Sequence, residues 1–232
     1  MKISILRAGT AALVISICST AWLVRAAEPT RQPDVAHGAQ IAAQGTSNGV
    51  TACAQCHAFN GSSDGTGAFP RIAGQSAMYL SKQLNSYASN ERLNAVMSPV
   101  AKGLSADDIA DVAAYYAGVT GPYLPLAAVN PALLKRGEEL AVIGDATKNL
   151  QSCNNCHGPN GAGELPAIPY LAGQYAHYTA FQLRMWKSGF RKTSPDGMGI
   201  VANKLSDADI EAVAAYFQQI RAGDRSGPQR KD

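Results

Sequence analysis

Two short stretches decide how this chain reads: Cys53-Ala54-Gln55-Cys56-His57 and Cys153-Asn154-Asn155-Cys156-His157. They stand 100 residues apart in a chain of 232. The likeness spreads outward from both. Asn60-Gly61 returns as Asn160-Gly161. Pro70-Arg71-Ile72-Ala73-Gly74-Gln75 returns as Pro169-Tyr170-Leu171-Ala172-Gly173-Gln174. Tyr79, Gln83 and Leu84 return as Tyr178, Gln182 and Leu183, and Met97 as Met198. Leu104-Ser105-Ala106-Asp107-Asp108-Ile109 returns as Leu205-Ser206-Asp207-Ala208-Asp209-Ile210. Shifts of one or two residues between blocks fit loop insertions. Two long copies mean two similar domains in tandem, since a solenoid needs three or more short repeats.

The punctuation places the parts. Gly118-Val119-Thr120-Gly121-Pro122 ends the first copy, and Pro125 and Pro131 follow. The first domain is read as residues 33–118, a proline-stiffened linker as 119–131 and the second domain as 132–222. A polar tail, 223–232, closes the chain.

Each copy reads as helical. Asp34 to Gln44 and Pro131 to Val142 are the expected opening helices. Ser76 to Ser89 and Tyr175 to Lys187 are the expected middle helices. Ser105 with Asp108, and Ser206 with Asp209, form capping boxes before the last helices. Behind the caps, Ile109, Val112, Ala113 and Tyr116 share one face, matched by Ile210, Val213, Ala214 and Phe217. No alternating strand pattern stands out, so the fold class expected is all-α with long glycine-rich loops.

Composition bounds the chemistry. Apolar residues make up 46% and charged residues 16%, a foldable globular balance. Lys2, Arg7 and Arg25 lie in the first 26 residues, and without them 17 basic side chains balance 17 acidic ones. No basic patch suggests a nucleic-acid partner. Residues 27–126 carry five basic and seven acidic side chains, and residues 127–232 carry twelve and ten. That asymmetry suggests a basic second domain able to meet an acidic partner.

The N-terminus indicates export. Lys2 and Arg7 precede an uncharged apolar run from Ala8 to Val24, and Val24-Arg25-Ala26 offers small residues for cleavage before Ala27. A cleaved signal peptide over residues 1–26 is the first reading. An uncleaved anchor is the alternative, because the run approaches the roughly 17–25 residues that span a bilayer.

In each Cys-x-x-Cys-His motif the thiols are three residues apart and share a face of one helical turn. They can add across the two vinyl groups of a haem, with the next histidine beneath the ring. The motif is therefore read as covalent c-type haem attachment, giving two covalently bound haem c groups through Cys53, Cys56, Cys153 and Cys156. A zinc site would gather both pairs around one ion. A redox dithiol would want a βαβ setting. Plain disulfides leave the histidines unexplained.

His57 and His157 are the first iron ligands expected. Methionine opposite histidine is the arrangement of electron-transfer cytochromes. Met97 lies 40 residues after His57, and Met198 lies 41 after His157. Met78 and Met185 have no counterpart and are read as core packing. His37 is read as a surface or packing residue, and His177 as a weaker ligand candidate than Met198. A ligating histidine usually donates its second N–H to a carbonyl. The carbonyls of Pro70 and Pro169, 13 and 12 residues after the histidines, are the candidates.

These motifs together resemble the cytochrome c4 family, exported proteins of two class I cytochrome c domains. The resemblance implies that His57 and Met97 are axial to one iron, and His157 and Met198 to the other. It implies a periplasmic electron carrier, with no catalytic residues of its own, between a quinol-oxidising complex and a terminal oxidase, in some members loosely membrane-associated. Two alternatives stay open. One is a small dihaem oxidoreductase, thiosulfate-oxidising or a peroxidase. The other is the electron-accepting subunit of a periplasmic dehydrogenase. The loop Ser194-Pro195-Asp196-Gly197-Met198-Gly199 departs most from its counterpart, so the two haems are expected to differ in potential or access.

Overall fold

The computed structural model describes residues 31–221 apart from 124, 126 and 127. The expected signal peptide and polar tail, and part of the expected linker, lie outside the described residues. Ten α-helices run through the rest, five in each domain. The first domain holds α1 (Val35–Gln44), α2 (Ala54–His57), α3 (Ala77–Ala88), α4 (Met97–Lys102) and α5 (Ala106–Gly118). The second holds α6 (Pro131–Val142), α7 (Asn154–His157), α8 (Ala176–Lys187), α9 (Ile200–Lys204) and α10 (Asp207–Gln219). None is long and apolar enough to cross a membrane.

The helices start where the chemistry of their caps directs. Asp34 accepts from Ala36 and His37 N–H, Asn130 accepts from Ala132 N–H, and Ser76 accepts from Tyr79 N–H. Both capping boxes form, Ser105 with Asp108 and Ser206 with Asp209. The all-α class read from the sequence holds, with one small addition. Gly144–Asp145 and Leu150–Gln151 make a two-residue antiparallel ladder, β1 and β2, pairing Gly144 with Gln151 and Asp145 with Leu150. Strands of two residues are too short to show alternation in a sequence.

In each domain the first helix crosses the last. α1 packs on α5 and α6 on α10, and the crossing is close because a glycine lies at it. A Cβ on Gly38 would collide with the carbonyl oxygen of Asp111, and one on Gly137 with that of Ala212. Around the crossings lie two equivalent cores. Ile41, Leu104, Ile109, Val112 and Tyr116 are buried in the first, and Leu140, Leu205, Ile210, Val213 and Phe217 in the second. The apolar faces read on the last helices are thus the core faces. Met78 is an exception to the packing read for it, with 54% of its surface exposed.

Beside the crossings the domains differ. Asp111 is 1% exposed, accepts from Asp34 N–H at 2.7 Å and meets His37 Nδ1 at 2.8 Å. The hydrogen bond to Asp111 raises the His37 pKa above its ordinary value. In the second domain Arg136 takes the place of His37 and reaches Asp209 at 2.9 Å and Asp145 at 2.7 Å.

The two domains are bound by a reciprocal exchange. Gln174 Oε1 accepts from Arg71 N–H at 3.0 Å, and its Nε2 donates to Arg71 O at 2.8 Å. Gln75 Oε1 accepts from Tyr170 N–H at 3.3 Å, and its Nε2 donates to Tyr170 O at 3.4 Å. Each glutamine amide thereby satisfies both backbone groups of the residue after the other domain's proline. Tyr170 OH also donates to Ala73 O at 2.9 Å, and Tyr175 OH to Ser62 O.

Two outcomes follow from this packing. Gly38→Ala and Gly137→Ala should each destabilise the folded protein by about 1–3 kcal/mol, read as a lowered denaturation midpoint, because the helices must part to admit a methyl group. His37, with its folded pKa raised, stabilises the first domain fully below its unfolded value of about 6.5, and this contribution fades as pH rises through the folded value. The melting difference between the native protein and His37→Asn should therefore shrink from about pH 5.5 to about pH 8.5; a constant difference would contradict the pairing.

Candidate haem-binding sites

Each site is built on one helical turn. In α2, Cys53 O accepts from Cys56 N–H at 3.2 Å and His57 N–H at 2.9 Å. In α7, Cys153 O accepts from Cys156 N–H at 3.3 Å and His157 N–H at 3.0 Å. All four thiols are free. Burial pushes the Cys53 thiol pKa up to about 11 and that of Cys153 up to about 12, so both are uncharged. Cys156 is exposed, and the other three are half-buried.

The loop after each histidine is fixed by a glycine. Gly61 O accepts from Ile72 N–H at 2.8 Å and Ala73 N–H at 3.1 Å. Gly161 O accepts from Leu171 N–H at 2.8 Å and Ala172 N–H at 3.1 Å. Gly61 sits at φ +71° with Ala73 N so close that a Cβ there would touch it. This brings each proline carbonyl back to its histidine. His57 Nδ1 lies 3.2 Å from Pro70 O, and His157 Nδ1 lies 2.8 Å from Pro169 O. The carbonyl partners read from the sequence are those the structure shows.

Both imidazoles are 8% exposed. Burial lowers their pKa values, outweighing the proline hydrogen bonds, so each ring is neutral at neutral pH. With Nδ1 held, Nε2 has no hydrogen bond among the described residues. A neutral ring with a fixed tautomer and an unused nitrogen is the form that binds a metal. Two free thiols on the same turn supply the covalent attachment. The residues present therefore fit a c-type haem.

The rival readings lack their geometry. Among the described residues no three His, Cys, Asp or Glu side chains gather as a metal cluster would need. Met97 is half-buried at the first turn of α4, with its N–H bonded to Asn94 Oδ1 at 2.8 Å. Met198 is half-buried on a π-turn over Pro195–Gly199 and packs against the second core. Ser194 starts that turn at φ 56°, ψ 52° and accepts from Met198 N–H. The inserted residues of the second loop are taken up by this wider turn. His177 is exposed on α8.

Two buried residues escaped the sequence reading: Arg92 and Arg191, each 4% exposed. Their signal was present. They are 99 residues apart, the same offset as Tyr79 to Tyr178 and Gln83 to Gln182.

Known proteins agree with this geometry. The family model described as Cytochrome c matches residues 35–119 and 143–221. A thiosulfate dehydrogenase electron acceptor of Stutzerimonas stutzeri is 36% identical over 215 residues, 92% of this chain and 93% of its own. A cytochrome c4 of Thiocapsa roseopersicina is 39% identical over 181 residues, 76% of this chain and 90% of its own. The crystal structure of reduced cytochrome c4 from Pseudomonas stutzeri superposes with a TM-score of 0.70 at 34% identity, over 82% of this chain and all of that one. The thiosulfate dehydrogenase TsdBA of Marichromatium purpuratum gives 0.75 at 35% identity; 81% of this chain is covered, but only 40% of that longer one. Paired motifs, paired neutral histidines and matches along both halves lead to one conclusion: the chain belongs to the cytochrome c family, as a dihaem protein of cytochrome c4 type that binds two covalent haem c groups and serves electron transfer.

Proposed function

We propose that this chain is a periplasmic one-electron relay whose donor is a dehydrogenase of the thiosulfate-oxidising kind. The observation that carries the donor is the span of likeness. A relative named as the electron acceptor of thiosulfate dehydrogenase matches 92% of this chain, and a second matches 72% at 38% identity. The exported compartment is supported by the apolar leader read in the sequence.

In this reading Cys53 and Cys56 would hold one haem, with His57 and Met97 as ligands to its iron. Cys153 and Cys156 would hold the other, with His157 and Met198 as ligands. Bound haem supplies reversible one-electron exchange at iron. The chain's own residues do the rest. Pro70 and Pro169 carbonyls orient the rings and make Nε2 more basic. A methionine thioether among the iron's ligands would favour the reduced state. No side chain needs to give or take a proton, because no substrate bond changes.

The ligand sets are tested by carbon monoxide. The reduced holoprotein should show no carbon monoxide difference spectrum, whereas Met97→Ala and Met198→Ala should each open one site to the gas. Binding by the native protein would overturn the ligand assignment. The donor is tested by stopped-flow reduction. Thiosulfate with purified thiosulfate dehydrogenase should reduce both haems faster than a quinol-oxidising complex does. The reverse order would restore the quinol-linked role.

A further inference from the structure

The two halves match residue by residue at the turn from each opening helix to its cysteines. A Cβ on Gly45 would meet Val50 O, and one on Gly144 would meet Leu150 O. These glycines are therefore equivalent. The pair before each is Ala43-Gln44 in the first half and Val142-Ile143 in the second. All four residues are exposed, Val142 at 50% and Ile143 at 77%. The second half thus holds two branched aliphatic side chains in solvent where the first holds a methyl group and an amide.

Their place is set beside the cysteines. Leu140 O, one turn before Ile143, accepts from Cys153 N–H at 3.4 Å. Gly144, the residue after Ile143, pairs with Gln151 in the β1–β2 ladder. Gln151 Nε2 in turn reaches Cys156 Sγ at 3.8 Å. Cys156 is exposed, whereas its counterpart Cys56 is half-buried.

The charges around this face are occupied within the domain. Between residues 142 and 156 the charged side chains are Asp145 and Lys148. Asp145 pairs with Arg136 at 2.7 Å, and Lys148 pairs with Asp209. Glu139, one turn before Ile143, pairs with Arg136 at 3.7 Å, and Glu138 lies towards Tyr216. Lys204 Nζ donates to Asn149 O at the closed end of the ladder, away from Ile143. The basic excess counted in the second half therefore does not gather here. Exposed aliphatic groups beside a haem-attaching cysteine, without a field of one sign, suit a contact made by apolar burial rather than by charge steering.

We propose that Val142, Ile143, Gln151 and Cys156 form the face on which the electron donor docks, and that the donor meets it with an uncharged, apolar patch. The proposal deepens the function proposed above and rests on it for the donor's identity. An electron enters beside the attachment cysteine most open to contact. The first half offers no equivalent entry, because Gln44 is polar and Cys56 is half-buried.

The test compares the native holoprotein with two exchanges. Val142→Ala with Ile143→Gln gives the second half the residues of the first, and Ala43→Val with Gln44→Ile does the reverse. Stopped-flow mixing with thiosulfate and purified thiosulfate dehydrogenase reads the second-order rate of reduction at low and high salt. Reduction by ascorbate and the midpoint potentials read the haems without a protein donor. The first exchange should slow reduction by the dehydrogenase about tenfold, the scale of losing one aliphatic contact at an interface. Its ascorbate rate and potentials should stay native, and the reverse exchange should leave every rate unmoved. The native rate should change less than about twofold between low and high salt, since no exposed charge is used. An unmoved rate in the first exchange, a loss shared with ascorbate, or a steep fall of the native rate with salt would overturn the proposal. So would a loss confined to oxidation by a terminal oxidase, which would give the face to the acceptor. Failure of the dehydrogenase to reduce the native protein would instead remove the donor reading. The same proteins are then compared with a quinol-oxidising complex, where a tenfold loss supports the face and equal rates overturn it.

Discussion

The hydrogen bond that a buried histidine donates to a proline carbonyl is the constraint on which the rest of this structure depends. It fixes the ring, keeps its tautomer and leaves one nitrogen unused. It forms only because a glycine carbonyl ties down the two residues after next, Ile72 and Ala73 or Leu171 and Ala172. The residue immediately after each proline is then taken up by the other domain, through Gln75 or Gln174. The string Pro-x-x-Ala-Gly-Gln therefore acts inward on its own histidine and outward on the neighbouring domain. A shift in the domain contact is one peptide unit from the support of each metal-binding ring.

The halves are alike in frame and unlike in detail. After His57, Ala58 takes φ 57°, ψ 158°, a region that strains any residue but glycine, and Gly158 occupies the same place without that strain. His37 and Asp111 in one half are answered by Arg136, Asp145 and Asp209 in the other, so a histidine–carboxylate pairing in one is replaced by arginine–carboxylate pairings in the other. Met97 begins a regular helix, whereas Met198 sits on a π-turn. Two sites of one design are thus set in different surroundings.

Most of this was legible in the sequence, and the reason is the repeat. Features that each copy builds from its own residues showed twice: the capping boxes, the last-helix stripes and the proline partners. Features that need both copies together did not. Gln75 and Gln174 were visible as a match, but not as an exchange across the domains. Arg92 and Arg191 fell between the quoted blocks, and their burial depends on the domains meeting. Met78 read as core because its chemistry is apolar, yet its place on α3 turns it to solvent. The β1–β2 ladder is shorter than any periodicity can reveal.

The contact between the halves has a further consequence. Each half presents the same groups, a glutamine amide and a backbone segment, and receives the same groups in return. That is the form of a two-fold, self-complementary surface of the kind by which identical subunits dimerise. A single half carries both sides of the joint. What the covalent connection between α5 and α6 adds is local concentration, which turns an encounter between two molecules into a fold within one.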